Sequence, residues 1–299
     1  MVILITGARG QLGSELNNIL QRGSSELGKL PPVYAGCEVL AVDVDELDIT
    51  SADVVDSFFS RHKPDLVFNC AAMTNVDGCE SDEESAYRVN ALGPRNLAIA
   101  CRRHGSRLLH VSTDYVFRGD GKRPYTEHDT PSPNTAYGRT KLAGEKAVLD
   151  SCGNSCICRT AWLYGYVGNN FVKTMLRLAR ENGRLKVVGD QVGNPTSAVD
   201  LAYQLALLGA STETGIFHCT CGGNPVSWHA FAERIIQKAG LSVPVESCTT
   251  DEFPRPARRP AYSALENRHL HDTIGDSMRD WKEALDSFME HYLEQEKTI

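Results

Sequence analysis

Tyr137 and Lys141 are the two side chains of this sequence whose types and spacing best suit proton transfer. They lie four residues apart in a segment with a helical pattern, and residues four apart share one face of a helix. An isolated phenol titrates at about pH 10, but a neighbouring ammonium stabilises the phenolate. The pair therefore predicts an acid–base site in which Tyr137 donates or accepts a proton near neutral pH.

The stretch Ser-Thr-Asp-Tyr-Val-Phe at residues 112–117 is the second candidate for chemistry. It follows an apolar run at residues 108–111 that predicts a strand. The hydroxyl group of Ser112 or Thr113 could hydrogen-bond the carbonyl oxygen that Tyr137 protonates. A Tyr-x-x-x-Lys spacing arises by chance on many amphipathic helices. Behind a strand that ends in Ser-Thr, the spacing becomes a strong indication of carbonyl chemistry.

The first thirteen residues predict the element that would hold a cofactor beside this site. The apolar run at residues 2–5 is too short for a helix and predicts a buried parallel strand. Gly7, Gly10 and Gly13 then permit a tight turn, close approach of a pyrophosphate, and packing of the next helix, residues 11–20, on the sheet. Three such glycines also occur in ordinary turns, so the interpretation depends on the strand and helix around them.

Two further strand ends predict where the rest of a dinucleotide would lie. A strand at residues 37–42 ends at Asp43, whose carboxylate could bond the adenosine ribose and would repel a 2′-phosphate. Arg9, inside the glycine turn, could offset that repulsion, so the expected cofactor is NADPH or NADH. A strand at residues 66–70 runs into Ala-Ala-Met-Thr at 71–74. These small residues either let a dinucleotide cross the strand end or pack under a helix.

The remaining pattern predicts an α/β fold with a doubly wound parallel sheet of the Rossmann type. We assign residues 1–163 to a dinucleotide-binding domain and 164–299 mainly to a smaller C-terminal α/β substrate domain, with some segments returning to the first. Residues 23–36 read as a surface loop, and one long helical pattern containing Asn90 extends to about Arg103. Beyond Trp162 we predict helices at 170–181, 199–208, 227–239 and 278–296, and strands at 185–188 and 215–219.

Composition limits the class of protein. The chain has 299 residues, 41% of them hydrophobic, enough for one large core or two moderate ones. A net charge of -7 argues against a nucleic-acid partner. We expect no membrane partner and a cytoplasmic protein, because no apolar run reaches the length of a span and the first strand follows Met1 directly. The ten cysteines are expected to be reduced packing residues, since their spacing does not match zinc sites.

The sequence resembles the dTDP-4-dehydrorhamnose reductases, a family within the extended short-chain dehydrogenase/reductase superfamily. The resemblance covers nearly the whole chain, through residues 7–13, 69–74, 112–117, 137–141, 159–165, 190–196 and 259–263. It implies NAD(P)H-dependent reduction of the C4 ketone of dTDP-4-dehydro-L-rhamnose, the last step towards an activated rhamnose for polysaccharides.

The resemblance also implies roles for individual residues. Tyr137 would protonate the C4 oxygen, Lys141 would support it and bond the nicotinamide ribose, and Thr113 would hold the same oxygen. Asp114 and Trp162 would contact the sugar. The residues implied to line the cofactor are Gly7, Gly10, Gln11, Leu12, Gly13, Asp43, Asp48, Ile49, Ala71, Ala72, Met73, Thr74, Tyr137 and Lys141.

A basic stretch at residues 254–260 has two interpretations. It is either a solvated loop or a segment that brings arginine to the substrate diphosphate, and Arg259 fits the family pattern better than its neighbours. Tyr262, close by, stands where many relatives carry Asn, which leaves the sugar and diphosphate contacts open.

Other positions decide between related activities. Tyr115 replaces the second carboxylate that nucleotide-sugar dehydratases need beside Thr-Asp, which favours a reductase. Some family members form homodimers around Mg²⁺. Glu15 and Asp190 match their acids, but Gly189 does not, so we predict no complete metal site and activity that survives EDTA.

Two alternative functions stay open on sequence. One is the reduction of another nucleotide-linked 4-ketosugar, because the sequence does not specify the sugar hydroxyls or the base. The other is a non-catalytic NADP-binding regulatory subunit, as in a related branch that binds methionine adenosyltransferase. The presence of both Tyr137 and Lys141 favours the reductase.

Overall fold

The computed structural model describes residues 1–298 and is built around a parallel sheet flanked by helices. The strands are β1 (Val2–Thr6), β2 (Ser24–Ser25), β3 (Gly28–Lys29), β4 (Glu38–Val42), β5 (Leu66–Asn69), β6 (Arg107–Thr113), β7 (Ser155–Thr160), β8 (Leu163–Tyr164), β9 (Leu185–Val188), β10 (Val192–Gly193), β11 (Thr196–Ser197), β12 (Gly215–His218), β13 (Val226–Ser227) and β14 (Val245–Cys248). The helices are α1 (Gln11–Arg22), α2 (Ala52–His62), α3 (Val76–Ser81), α4 (Glu83–Tyr87), α5 (Gly93–His104), α6 (Ala136–Ser151), α7 (Phe171–Asn182), α8 (Ala198–Ala210), α9 (Trp228–Lys238), α10 (Arg268–Asp272) and α11 (Trp281–Thr298).

The main sheet has six strands in the order β12, β7, β6, β5, β1, β4, and each neighbouring pair is parallel. The chain leaves β1 for β4 on one side and then returns to β5 on the other. This reversal of direction opens a crevice at the carboxyl ends of β1 and β5, where open α/β sheets bind ligands. The predicted doubly wound sheet is therefore confirmed.

Both faces of the sheet are covered by helices, which explains why its central strands are apolar throughout. In β1, Ile3 and Ile5 join a core with α1 and α8, whereas Leu4 joins a second core with α2, α5 and α6. Every residue of β5 and β7 is buried. The alternation of side chains along each strand supplies both cores.

The second half of the chain contributes both to the main sheet and to smaller strand pairs. Strand β12 pairs with β7 at the sheet edge, while β9 with β14, β10 with β13, and β8 with β11 form separate two-stranded pairs. Residues 261–265 cross between the halves, because Tyr262 N–H bonds Gly119 and Ser263 N–H bonds Val192. The division at residue 163 stays a prediction.

Two sequence predictions about local structure were wrong. Residues 23–36 are not only a surface loop, since they form the β2–β3 hairpin and bury Tyr34, whose hydroxyl group donates to the carbonyl of Ala206. The long helix up to Arg103 is interrupted. Asp82 ends α3 and caps α4, and a single π-helical turn at Arg88–Leu92 precedes α5.

The π turn places Asn90 where a regular helix would not. Its backbone lies against Gly144 of α6, where an added Cβ would come within 2.1 Å of the Asn90 carbonyl oxygen. The Asn90 side chain binds both the N–H and the carbonyl of Met73. The regular helix is therefore interrupted where Asn90 holds Met73 in the loop after β5.

The cysteines serve as packing residues, as the sequence predicted. All ten cysteines are free thiols, eight of them buried, and Cys156 and Cys158 face the same core. Within the part of the chain that the structure describes, no helix combines the length and apolarity needed to cross a bilayer.

Candidate active site

The glycine turn between β1 and α1 leaves room for a phosphate. Gly7 has a φ of +66°, and an added Cβ would lie 2.8 Å from Ala71. At Gly13 the Cβ would lie 2.3 Å from the Gly7 carbonyl oxygen, so only glycine lets the helix pack this closely. Gly10 precedes α1 without a side-chain cap, and no acid lies in the first turn. The positive helix end is thus free for an anion, as a dinucleotide requires.

Not every residue of the predicted cofactor lining turns its side chain to the groove. Leu12 and Ile49 are buried in the two cores, so only their main chain can face a dinucleotide. Gln11 accepts a hydrogen bond from Asn170, which ties the glycine turn to α7. Asp48 is occupied locally by the N–H and hydroxyl group of Thr50.

The adenosine end of the groove is more acidic than the sequence suggested. Asp43 follows β4 and accepts the N–H of Arg9 at 3.1 Å. The Arg9 guanidinium reaches Asp45 at 2.7 Å and Glu46 at 2.8 Å. Arg9 is therefore paired with two carboxylates. A 2′-phosphate would have to compete with both of them for the Arg9 guanidinium.

Small side chains follow β5, as predicted. Asn69 ends the strand, and its side-chain oxygen Oδ1 accepts the N–H of Ala71 at 3.2 Å. Asn90 holds Met73 from the other side. Residues 71–74 thus follow a fixed path along the crevice, between the glycine turn and the end of β6.

Tyr137, Thr113 and Asp114 meet at the carboxyl end of β6. Tyr137 lies in the first turn of α6 and is buried, with its phenol close enough to Thr113 for that hydroxyl group to lower the phenol pKa. The Thr113 hydroxyl group also donates to Asp114 at 2.9 Å. The second carboxylate oxygen of Asp114 is buried without a hydrogen-bond partner. Burial raises the pKa of Asp114 to about 6, against the effect of Ser263 and Thr113.

The pKa of Tyr137 is raised rather than lowered. Burial is the main cause, and the Asp114 carboxylate adds to it, while the Thr113 hydroxyl opposes it. The lowering of this pKa that the sequence predicted from Lys141 is therefore not observed. Tyr137 therefore holds its proton firmly at neutral pH, as a proton donor to a substrate oxygen must before the reaction.

Lys141 lies one turn further along α6 and is almost completely buried. Its ammonium donates to the Val111 carbonyl at 2.6 Å and approaches Nε2 of His110 at 3.5 Å. Burial lowers the pKa of Lys141 to about 8, and the Glu145 carboxylate partly restores it. The amino group is thus close to titration near neutral pH.

The predicted substrate contacts lie around the same strand ends. Trp162 follows β7 in a left-handed conformation with φ of 48°, and its ring stacks on Trp228 at a centroid separation of 3.5 Å. Arg259 reaches Asp77 at 2.8 Å and lies close enough to the Tyr115 phenol to lower its pKa, against the larger effect of burial. One guanidinium nitrogen of Arg259 is buried without a partner. Arg259 is therefore not in a solvated loop.

The sequence reasoning missed a buried ion pair behind the site. Glu145 accepts two hydrogen bonds from Arg159, at 2.9 and 2.7 Å, and one from Ser112 at 2.5 Å. The side chains of the pair are 1% and 2% exposed. The signal available in the sequence was an arginine inside a strand whose other residues are uncharged, since a buried charge needs a partner.

The acids considered for Mg²⁺ do not converge. The carboxylate of Asp190 accepts the N–H and hydroxyl group of Thr250. Glu15 lies on α1, where burial raises its pKa. Over residues 1–298, no three His, Cys, Asp or Glu side chains are grouped to hold a metal ion.

The parallel sheet carries a glycine turn after β1, an uncapped N-terminus at α1, and Tyr137 with Lys141 beside the end of β6. Together these features define an NAD(P)-dependent reductase of the short-chain dehydrogenase/reductase type. A family model described as the RmlD substrate binding domain matches residues 1–294. The chain belongs to the dTDP-4-dehydrorhamnose reductase family.

Individual relatives agree with this assignment. The chain is 43% identical over 296 residues to a dTDP-4-dehydrorhamnose reductase of Aggregatibacter actinomycetemcomitans, covering 95% of this chain and 96% of the other. A crystal structure of such a reductase from Clostridium acetobutylicum is 48% identical, with a TM-score of 0.92 over 98% of this chain and all of that one. Another, from Bacillus anthracis in complex with NADP, is 37% identical, with a TM-score of 0.89 over 97% and 99% of the two chains.

Proposed function

We propose that this protein reduces the C4 ketone of dTDP-4-dehydro-L-rhamnose to dTDP-L-rhamnose with NADPH or NADH. NAD(P)H would supply the hydride to C4. Tyr137 would give its proton to the C4 oxygen, while the Thr113 hydroxyl would hold that oxygen. The placement of Tyr137 beside Thr113, whose hydroxyl group lowers the pKa of the buried phenol, is the observation that carries the proposal, because both groups could then reach the same substrate atom.

The charges around the site support a nucleotide-sugar substrate. The unpartnered carboxylate oxygen of Asp114 could accept a sugar hydroxyl group, and the unpartnered nitrogen of Arg259 could donate to a diphosphate oxygen. Trp162, stacked on Trp228, would form an apolar wall beside the sugar. We infer a cytoplasmic enzyme and leave a homodimer as part of the proposal, to be tested by sedimentation.

The test is oxidation of NADPH and, separately, NADH in the presence of dTDP-4-dehydro-L-rhamnose, followed by the loss of nicotinamide absorbance. Turnover with either cofactor supports the proposal. If turnover fails while NADP(H) binds, the same assay with other nucleotide-linked 4-ketosugars tests the second substrate class. A stoichiometric copurifying protein without any ketosugar turnover would instead support the regulatory subunit.

The variant Tyr137→Phe tests the assigned acid. Its kcat should fall by about 10² to 10⁴, because proton donation is lost while the ring remains in place. Cofactor affinity should change little. Tyr34→Phe is the matched control, since it also removes a buried phenol hydroxyl group, but one that bonds Ala206 far from the site. Wild-type kcat in Tyr137→Phe would contradict the assignment.

A further inference from the structure

A line of buried polar side chains connects β1 to Lys141. The Thr6 hydroxyl group donates to the side-chain oxygen of Asn69 at 2.7 Å. The amide nitrogen of Asn69 lies 2.9 Å from Nδ1 of His110, and Nε2 of the same ring lies 3.5 Å from Nζ of Lys141. Thr6, Asn69, His110 and Lys141 are all at most 2% exposed.

The orientation of the Asn69 amide follows from its neighbours. Its side-chain oxygen is 3.2 Å from the backbone N–H of Ala71, which can only donate. A flipped amide would place its NH₂ group against that donor. The oxygen of Asn69 therefore faces Thr6 and Ala71, and the NH₂ group faces His110.

This orientation determines which nitrogen of His110 carries the proton. Nδ1 must accept the hydrogen bond from Asn69, so it is unprotonated. Burial, with a smaller contribution from Lys141, lowers the pKa of His110 well below its usual range, so the ring is neutral. A neutral imidazole with a bare Nδ1 carries its hydrogen on Nε2.

The Nε2–H of His110 is thus directed at the Lys141 amino group. An ammonium has three donors and no acceptor, whereas an uncharged amine has a lone pair that accepts. We propose that His110 is a positioning residue for Lys141. The Nε2–H of His110 opposes the ammonium form of Lys141 and favours the uncharged amine. This inference rests on the proposed function only for its effect on turnover.

The other groups around Lys141 do not replace this effect. On its own helix, Glu145 favours the ammonium, and after β5 the Cys70 thiol would do so once ionised. The Val111 carbonyl on β6 accepts from Nζ at 2.6 Å and also favours the ammonium. Of the Val111 carbonyl and the His110 ring, which both contact Nζ, only the ring offers a donor, and burial acts in the same direction as His110.

The first experiment determines the tautomer without cofactor or substrate. Long-range ¹H–¹⁵N spectra of histidine-labelled protein distinguish a protonated from an unprotonated ring nitrogen, and His110→Asn identifies the resonances. We expect Nδ1 to be unprotonated and Nε2 protonated from acid to alkaline pH. A ring with its proton on Nδ1, or a ring that becomes charged near neutral pH, would overturn the inference.

The second experiment measures the titration of Lys141 directly. The Cε resonance of Lys141 is followed against pH in ¹³C-lysine-labelled protein, with Lys141→Arg for assignment. His110→Asn keeps an acceptor for Asn69 but removes the donor beside Nζ. His110→Phe removes the donor while keeping a bulky ring that excludes water. Both variants should raise the Lys141 midpoint by about one pH unit, because an opposed donor is lost.

Three results have different meanings. A higher Lys141 midpoint in both variants supports the inference. A higher midpoint in His110→Asn alone would show that water entry is the cause and would overturn the inference. An unchanged or lowered midpoint in both would also overturn it. His104→Asn, the same substitution at the end of α5, should leave the Lys141 midpoint as it is in the wild type.

Turnover provides a separate reading. If the ketosugar is reduced, the alkaline limb of kcat/KM should move to higher pH in His110→Asn, because the ammonium that supports Tyr137 persists further. If no ketosugar is turned over, the proposed function fails, yet both spectroscopic experiments still decide the role of His110. The two failures are thus distinguishable.

Discussion

Removing one partner of the buried pair between Glu145 and Arg159 should destabilise the protein strongly. The two side chains are 1% and 2% exposed and share two hydrogen bonds, while Glu145 also accepts from Ser112. In Glu145→Gln the shape and the acceptor for Ser112 remain, but the Arg159 charge stays buried without compensation. Breaking such a pair costs about 3–5 kcal/mol of unfolding free energy.

A double-mutant cycle separates the pair from its environment. Arg159→Met should cost a similar amount, because the buried Glu145 carboxylate loses both hydrogen bonds from Arg159 and keeps only the one from Ser112. The double variant carries neither charge, so its cost should be smaller than the sum of the single costs by about 2 kcal/mol. Urea unfolding followed by circular dichroism gives all four free energies.

The Glu145→Gln variant of this cycle should also change the titration of Lys141. The Glu145 carboxylate raises the pKa of Lys141 against the effect of burial, so Glu145→Gln should lower the Lys141 midpoint below about 8. Single-variant costs under about 1 kcal/mol would refute the reasoning on buried charge. Costs that add fully in the double variant would show that the two residues act independently.

Asp43→Ala should weaken NADH binding by about tenfold and NADPH binding less, because the carboxylate bonds the ribose but repels a 2′-phosphate; equal effects in titrations of the two cofactors would contradict the ribose contact. Because burial raises the pKa of Asp114 from 3.8 to about 6, its ionisation opposes folding, so wild-type stability should fall as pH rises through this window by up to about 3 kcal/mol. Asp114→Asn, which stays neutral, should lose that part of the pH dependence in urea unfolding, and parallel curves for the two proteins would count against a buried, raised carboxyl. Dialysis against EDTA should leave ketosugar reduction intact, whereas a full loss that Mg²⁺ restores would require a metal site.

Much of the fold could be predicted because its signals are local. The apolar run before Gly7 and the glycines after it indicate a strand and a helix over a few residues, and the structure has them as β1 and α1. Most other predicted elements differ from the observed ones by only a few residues at their ends. The predictions failed where a distant contact decided the local structure, as at Asn90, whose π turn packs on Gly144.

The candidate site divides in the same way. Tyr137 and Lys141 could be placed on one helix face because the helical period is a property of the backbone. Their surroundings could not be predicted, since the acids that hold Arg9 and the phenol next to Arg259 come from other segments. The raised pKa of Tyr137 likewise depends on burial, which no spacing reports.

The sequence by itself determined the glycine turn, the acid–base pair on α6 and the Ser-Thr end of β6, because each depends on residues that are close in the chain. Only the tertiary structure decided that Asn69 faces His110 and that His110 faces Lys141. These contacts depend on the register of β5 against β6 and on the packing of α6 over them. Register and packing are set by the whole core, and side chains that are 41 and 31 residues apart meet only once that core has formed.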